Sequence, residues 1–89
     1  MSSKKQLKKE INNTLGALIE EVYVKELSSA EVDVKKSEKI IDEAIGLFDE
    51  LIQQIHDPAA KATPKKNFNA IRASLKEKAA SLSDKIEQL

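Results

Sequence analysis

Apolar residues in this chain recur at steps of three and four, in three separate runs, and that spacing belongs to the α-helix. Leu7, Ile11, Leu15, Leu18 and Val22 make the first stripe. Ala30, Val34, Ser37, Ile41, Ala44, Phe48, Leu51 and Ile55 make the second, in alternating steps of four and three that form a heptad pattern. Phe68, Ile71, Leu75, Ala79, Leu82, Ile86 and Leu89 make the third. A stripe of this kind must be buried against another element, so the three helices must pack on one another.

Local signals set the ends. Ser3-Lys4-Lys5-Gln6 fits a capping box, in which the Ser and Gln side chains satisfy orphan amides at a helix start. The spacing predicts a first helix over about 4–27. Continued further, its stripe would meet Lys25, Ser29 and Lys36, so the apolar phase is lost. Ser28-Ser29-Ala30-Glu31 fits a second capping box and predicts a second helix over about 29–56. A start near Ser37 is the alternative. It leaves Val32 and Val34 outside the helix, and their alternation with Val22 and Val24 hints at a short strand pair. Asp57-Pro58 ends the second helix, because a residue before proline is pushed out of the helical region. Thr63 caps the third, with Pro64 at its first position, and the stripe carries it over about 64–88.

Three helices of near-equal length joined by short connections become antiparallel neighbours. The expected fold is all-α: one antiparallel up-down-up three-helix bundle using residues 1–89 as a single domain. Composition agrees. Only two Gly and two Pro interrupt 89 residues, and 34% of them are charged. The second helix has the widest apolar arc, adding Ile40, Ile45, Leu47 and Ile52 to its stripe. A helix touching two neighbours needs such an arc; a bundle that pairs with a second copy through Ile45 or Leu47 would need it too.

Several function classes fall away. Without cysteine there is no disulfide, thiolate metal site or thiol catalysis. The single histidine, His56, suits the exposed carbonyls at the end of the second helix. Gln53 stands where the acid of a Glu-x-x-His di-iron motif would be. Glu38, Asp42 and Asp49 share one line of the second helix, and Glu43 and Glu50 another, as a solvated face does. No serine stands in a nucleophile elbow, and Gly16 and Gly46 are isolated within helices rather than part of a phosphate loop. No enzyme, cofactor or metal is expected. The lysine-rich start has no apolar signal core behind it, and no run approaches the roughly 18 residues of a membrane span. A cytoplasmic location and no membrane partner are therefore expected.

Charge is unevenly placed although the net charge is zero. Residues 31–57 hold three lysines and eight acids, whereas residues 58–89 hold seven basic residues and three acids. The two helices should attract. Up-down-up topology also brings Lys4, Lys5, Lys8 and Lys9 to the same end as Lys61, Lys65 and Lys66. Lysine in a first turn opposes the helix dipole, so two helix starts carrying lysines suggest an anion partner. Glu20, Glu21, Glu26, Glu31, Asp33, Asp84 and Glu87 gather at the opposite end.

Two functional expectations follow. The first is a small non-catalytic helical protein–protein interaction or scaffolding module, docking a protein partner through Tyr23, Val24, Ile45 and Leu47, or pairing as a homodimer through Ile45 or Leu47. The second is anion or nucleic-acid binding through the lysine-rich end. Zero net charge and 3% aromatic residues argue against nucleic acid, since such binders carry basic excess and stacking platforms.

Overall fold

The computed structural model describes residues 4–57 and 64–89, the side chain of Pro64 aside. Three helices run in chain order: α1 over Lys4–Ser28, α2 over Val34–Ile55 and α3 over Pro64–Glu87. Each packs against both others, which gives the three-helix bundle. The molecule is a rod of 50 × 20 × 16 Å. Its radius of gyration is 14.7 Å, against about 12 Å for a compact chain of this length.

Side-chain pairs fix the directions. Moving seven residues forward on α3, from Lys78 to Lys85, moves seven back on α2, from Glu50 to Glu43. Those helices are therefore antiparallel. Glu10 and Arg72 lie near the starts of α1 and α3 and form a forked pair at 2.9 and 3.4 Å, so these helices start at the same end. The acidic α2 and the basic α3 attract as their composition implies, through Lys78–Glu50 at 3.5 Å and Lys85–Glu43 at 2.9 Å. Each such exposed pair contributes less than about 1 kcal/mol.

The core is one cluster running the length of the rod. Leu7, Ile11, Leu15 and Val22 enter it from α1, and Phe68, Ile71, Leu75, Leu82 and Ile86 from α3. These are the expected stripes, with Leu18, Ala79 and Leu89 half-buried at their borders. From α2 the buried residues are Ser37, Ile40, Ala44, Leu47, Leu51 and Ile55. Here the expected stripe is corrected by one position: Ile40 and Leu47 go inward, while Ile41 and Phe48 stay half-buried. Because α2 touches two helices, the packing of α3 on its Glu43–Glu50 side rotates the buried line toward Leu47.

The start of α2 also differs from both expectations. Its N-cap is Asp33, in extended backbone with φ −75° and ψ 107°, and its Oδ1 accepts from the Lys35 amide at 2.9 Å. The Ser29 hydroxyl does accept from the Glu31 amide, at 3.3 Å. That bond closes a tight turn rather than opening a helix, and the turn tucks Val32 into a buried position. Among the described residues there is no strand: Val22 and Val24 belong to α1, and Val34 begins α2. At the other end His56 is the C-cap of α2, its backbone amide bonded to the carbonyls of Ile52 and Gln53. Asn67 of α3 donates its side-chain amide to the Gln54 carbonyl at 3.2 Å, satisfying one of the orphan acceptors there. The expected caps at Ser3 and Thr63, and the stop at Pro58, lie outside the described residues.

Candidate protein-interaction face

Among the described residues, five large apolar side chains are exposed: Tyr23, Val24, Leu27, Val34 and Ile45. By helical spacing, Tyr23 and Leu27 on α1 and Val34 and Ile45 on α2 fall on two lines that flank the groove between these helices. On α1, Gly16, Ile19, Tyr23 and Leu27 follow one another at steps of three and four, so they form a line on the helix surface. On α2, Val34, Ile41, Ile45, Phe48 and Ile52 form a second line at steps of seven, four, three and four. A shallow groove lined by Asn12, Gly16 and Ile19 on one wall and by Ile45 and Phe48 on the other brings the two lines together, with Leu15 and Ala44 at its floor. Nearer the α1–α2 turn, Ser37 bonds Glu26, which keeps the two helices side by side at that level. The third helix packs on the other side of both, so the groove has no helix over it.

Burial along the two lines is graded. Ile19, Ile41, Phe48 and Ile52 are half-buried and packed against the core. Tyr23 and Ile45 are each 50% exposed, and Leu27 is 89% exposed. Gly16 sits in the groove with its Cα open: a Cβ built there meets nothing within 4 Å. The same holds for Gly46 on the α2–α3 side. Neither glycine serves close packing within the molecule, and each weakens its helix by about 1 kcal/mol relative to alanine.

Of the four residues expected to dock a partner, Tyr23 and Ile45 lie on this face. Leu47 does not. It is 7% exposed and packed in the core, because it falls on the buried line of α2 between Ala44 and Leu51. Val24 is exposed but lies round the helix, beside a groove shared with Ser83 and Ile86 of α3. Leu27 and Val34 complete the face and were hidden in the sequence, Leu27 at a helix end and Val34 within the presumed core stripe. The readable signal was the second periodic line on α2, one position beyond the core line.

The lysine end is more diffuse. Lys4, Lys5 and Lys9 in α1 and Lys65 and Lys66 in α3 are exposed, and Lys8 is half-buried. Lys61 lies outside the described residues. Neither α1 nor α3 has an acidic residue in its first turn, and the nearest acid with a defined partner is Glu10, held by Arg72. Of the acidic lines on α2, Glu43 and Glu50 are paired with lysines of α3, while Glu38, Asp42 and Asp49 face solvent. Among the described residues, no group of three or more His, Asp or Glu is arranged to hold a metal ion.

No protein-family model, curated protein or solved structure matches the chain.

Proposed function

We propose that this chain is a non-catalytic helical interaction module that docks another polypeptide on the α1–α2 face. One observation carries the reading: among the described residues, four of the five exposed large apolar side chains, which a small monomer ordinarily scatters, fall on the two helical lines that flank the α1–α2 groove, and Ile45 lines the groove itself. Helical faces of this kind accept a partner helix laid along the groove, with apolar side chains at helical spacing as anchors. Among the described residues, no helix is long and apolar enough to cross a membrane, and the cytoplasm is the compartment proposed.

The test compares the wild-type chain with an Ile45→Asp, Tyr23→Ser variant in pull-downs at moderate salt. Circular dichroism first verifies that both are folded. Stoichiometric capture of a protein by the wild type, a second copy of the chain included, and its loss in the variant is the expected result. Capture that the variant retains, or no capture by the wild type, overturns the reading. Anion binding through Lys4, Lys5, Lys8, Lys9, Lys61, Lys65 and Lys66 is supported by position alone. Its own signature would be heparin retention that falls with salt and is indifferent to the face variant.

A further inference from the structure

We infer that the α1–α2 face takes a basic amphipathic helix of another protein, with its apolar side in the groove and its lysines or arginines over a row of carboxylates on the outer shoulder of α2. The inference rests on the interaction-module reading above and names the chemistry of the partner. Glu38, Asp42 and Asp49 make the row, and all three are exposed. Ile41 follows Glu38 by three residues, and Ile45 follows Asp42 by three and precedes Asp49 by four. Each carboxylate therefore stands one step round the helix from the apolar line, on its solvent side. From Glu38 to Asp49 the row runs about 17 Å along the axis. Among the described residues none of the three has an ion-pair partner, whereas Glu43 and Glu50, the other carboxylates of α2, are held by Lys85 and Lys78 on the α3 side.

Nearby cations do not cancel the row. Lys35, seven residues before Asp42, is the one lysine on the same shoulder among the described residues; Lys36 and Lys39 line the groove between α2 and α3 instead. Glu31 and Asp33 ahead of α2 and Asp57 just past it carry the same sign as the row. The α1 shoulder is mixed, with Lys5 and Lys9 toward the start of that helix and Glu20 farther along. The acidic excess thus lies on one flank, and it selects a partner helix whose facing flank is basic. Shape agrees. The groove holds about 160 Å³, below the roughly 300–1,000 Å³ of a small-molecule pocket, so it suits an apolar stripe laid along it. This chain does not itself supply such a helix. Its α3 exposes Lys65, Lys66 and Lys76 but, among the described residues, no large apolar side chain. On α1, Lys9 lies about four turns from Tyr23.

Fluorescence anisotropy with two labelled synthetic peptides of about 21 residues, three heptads, tests this. Both carry leucines at alternating steps of three and four; one has lysines beside that stripe and the other glutamates. The wild-type chain is expected to bind the lysine peptide at least about tenfold more tightly at about 50 mM salt, with the gap narrowing at about 300 mM. Asp42→Lys combined with Asp49→Lys, verified as folded by circular dichroism, should reverse the preference. Ile45→Ser should weaken the lysine peptide at least about fivefold. Glu21→Lys with Glu87→Lys, which alters acids of the α1–α3 groove, should change its binding by less than about twofold. No binding of the lysine peptide up to about 500 μM overturns the proposal. So does equal binding of the two peptides, binding indifferent to the Asp42, Asp49 pair or to Ile45→Ser, or a loss as large from the Glu21, Glu87 pair. A chain that sedimentation shows to be dimeric through Ile45 overturns it as well, the face then being filled by a second copy. Equal binding of both peptides that Ile45→Ser abolishes would leave the module reading standing and this one refuted, so the two fail separately.

Discussion

Ser37 is the only polar side chain among the described core residues, and it is fully buried. Its hydroxyl lies within hydrogen-bonding reach of the Glu26 carboxylate on α1 and, at 2.9 Å, of the Val34 carbonyl. One hydroxyl carries one hydrogen, so at any instant it serves one of the two acceptors. The Val34 bond is local, whereas the Glu26 bond crosses between helices and fixes where the end of α1 meets the start of α2. An apolar residue at position 37 would fill the space but would tolerate sliding. Ser37→Ala loses about 1 kcal/mol of hydrogen bonding and regains about half of that in helix propensity. The single variant is therefore a blunt probe. The informative measurement is the double-mutant cycle of Ser37→Ala with Glu26→Ala by urea unfolding. A coupling of about 1 kcal/mol is expected, and additivity would mean the interhelical bond contributes nothing.

At the scale of elements, the start of α2 shows what a sequence signal can and cannot fix. Ser28-Ser29-Ala30-Glu31 and Asp33-Val34-Lys35 both offer a capping side chain ahead of an apolar stripe. The structure uses both, the first to make a turn and the second to open the helix. What separates them is Val32, which can be buried only if the chain turns before α2 begins. Asp33→Ala should therefore destabilise the protein by about 1 kcal/mol, the usual value of an N-cap, and Ser29→Ala by only a few tenths. Equal losses in chemical denaturation would favour the earlier start. By contrast, α1 and α3 were legible almost to the residue, because each has a single buried line. The line on α2 was misplaced because two neighbours bury a wide arc, and alternation alone does not say which edge lies deeper. The same ambiguity assigned Leu47 to the surface and Val34 to the core. The apolar excess on α2 was visible in the sequence; its division between core and docking face was settled only once α3 had a position.

For the whole molecule, the rod shape means that no residue lies far from solvent, and stability depends on one thin ladder of side chains. Leu51 stands in the middle of that ladder at 0% exposure, with Ile11 of α1 and Ile71 and Leu75 of α3 in the same buried cluster. A chain of this length has on the order of 5–10 kcal/mol of folding stability in total. Truncating a fully buried leucine to alanine costs about 2–5 kcal/mol, and a rigid interhelical site that cannot collapse lies toward the upper part of that range. Each kcal/mol shifts the melting temperature of a domain this size by about 4–8 °C. Leu51→Ala should therefore lower the melting temperature by more than about 10 °C while leaving a single cooperative transition, because all three helices share the cluster. The face residues behave differently in this comparison. Tyr23→Ser removes a side chain already half in water, so it should cost the isolated chain less than about 1 kcal/mol. Calorimetry at low and high protein concentration separates the two kinds of residue. Leu51→Ala lowers the transition equally at both concentrations. If the docking face pairs with a second copy, Tyr23→Ser should lower it chiefly at the high one, where association would add stability to the wild type by mass action. A Tyr23→Ser loss as large as that of Leu51→Ala and independent of concentration would place that tyrosine with the core and remove it from the docking face.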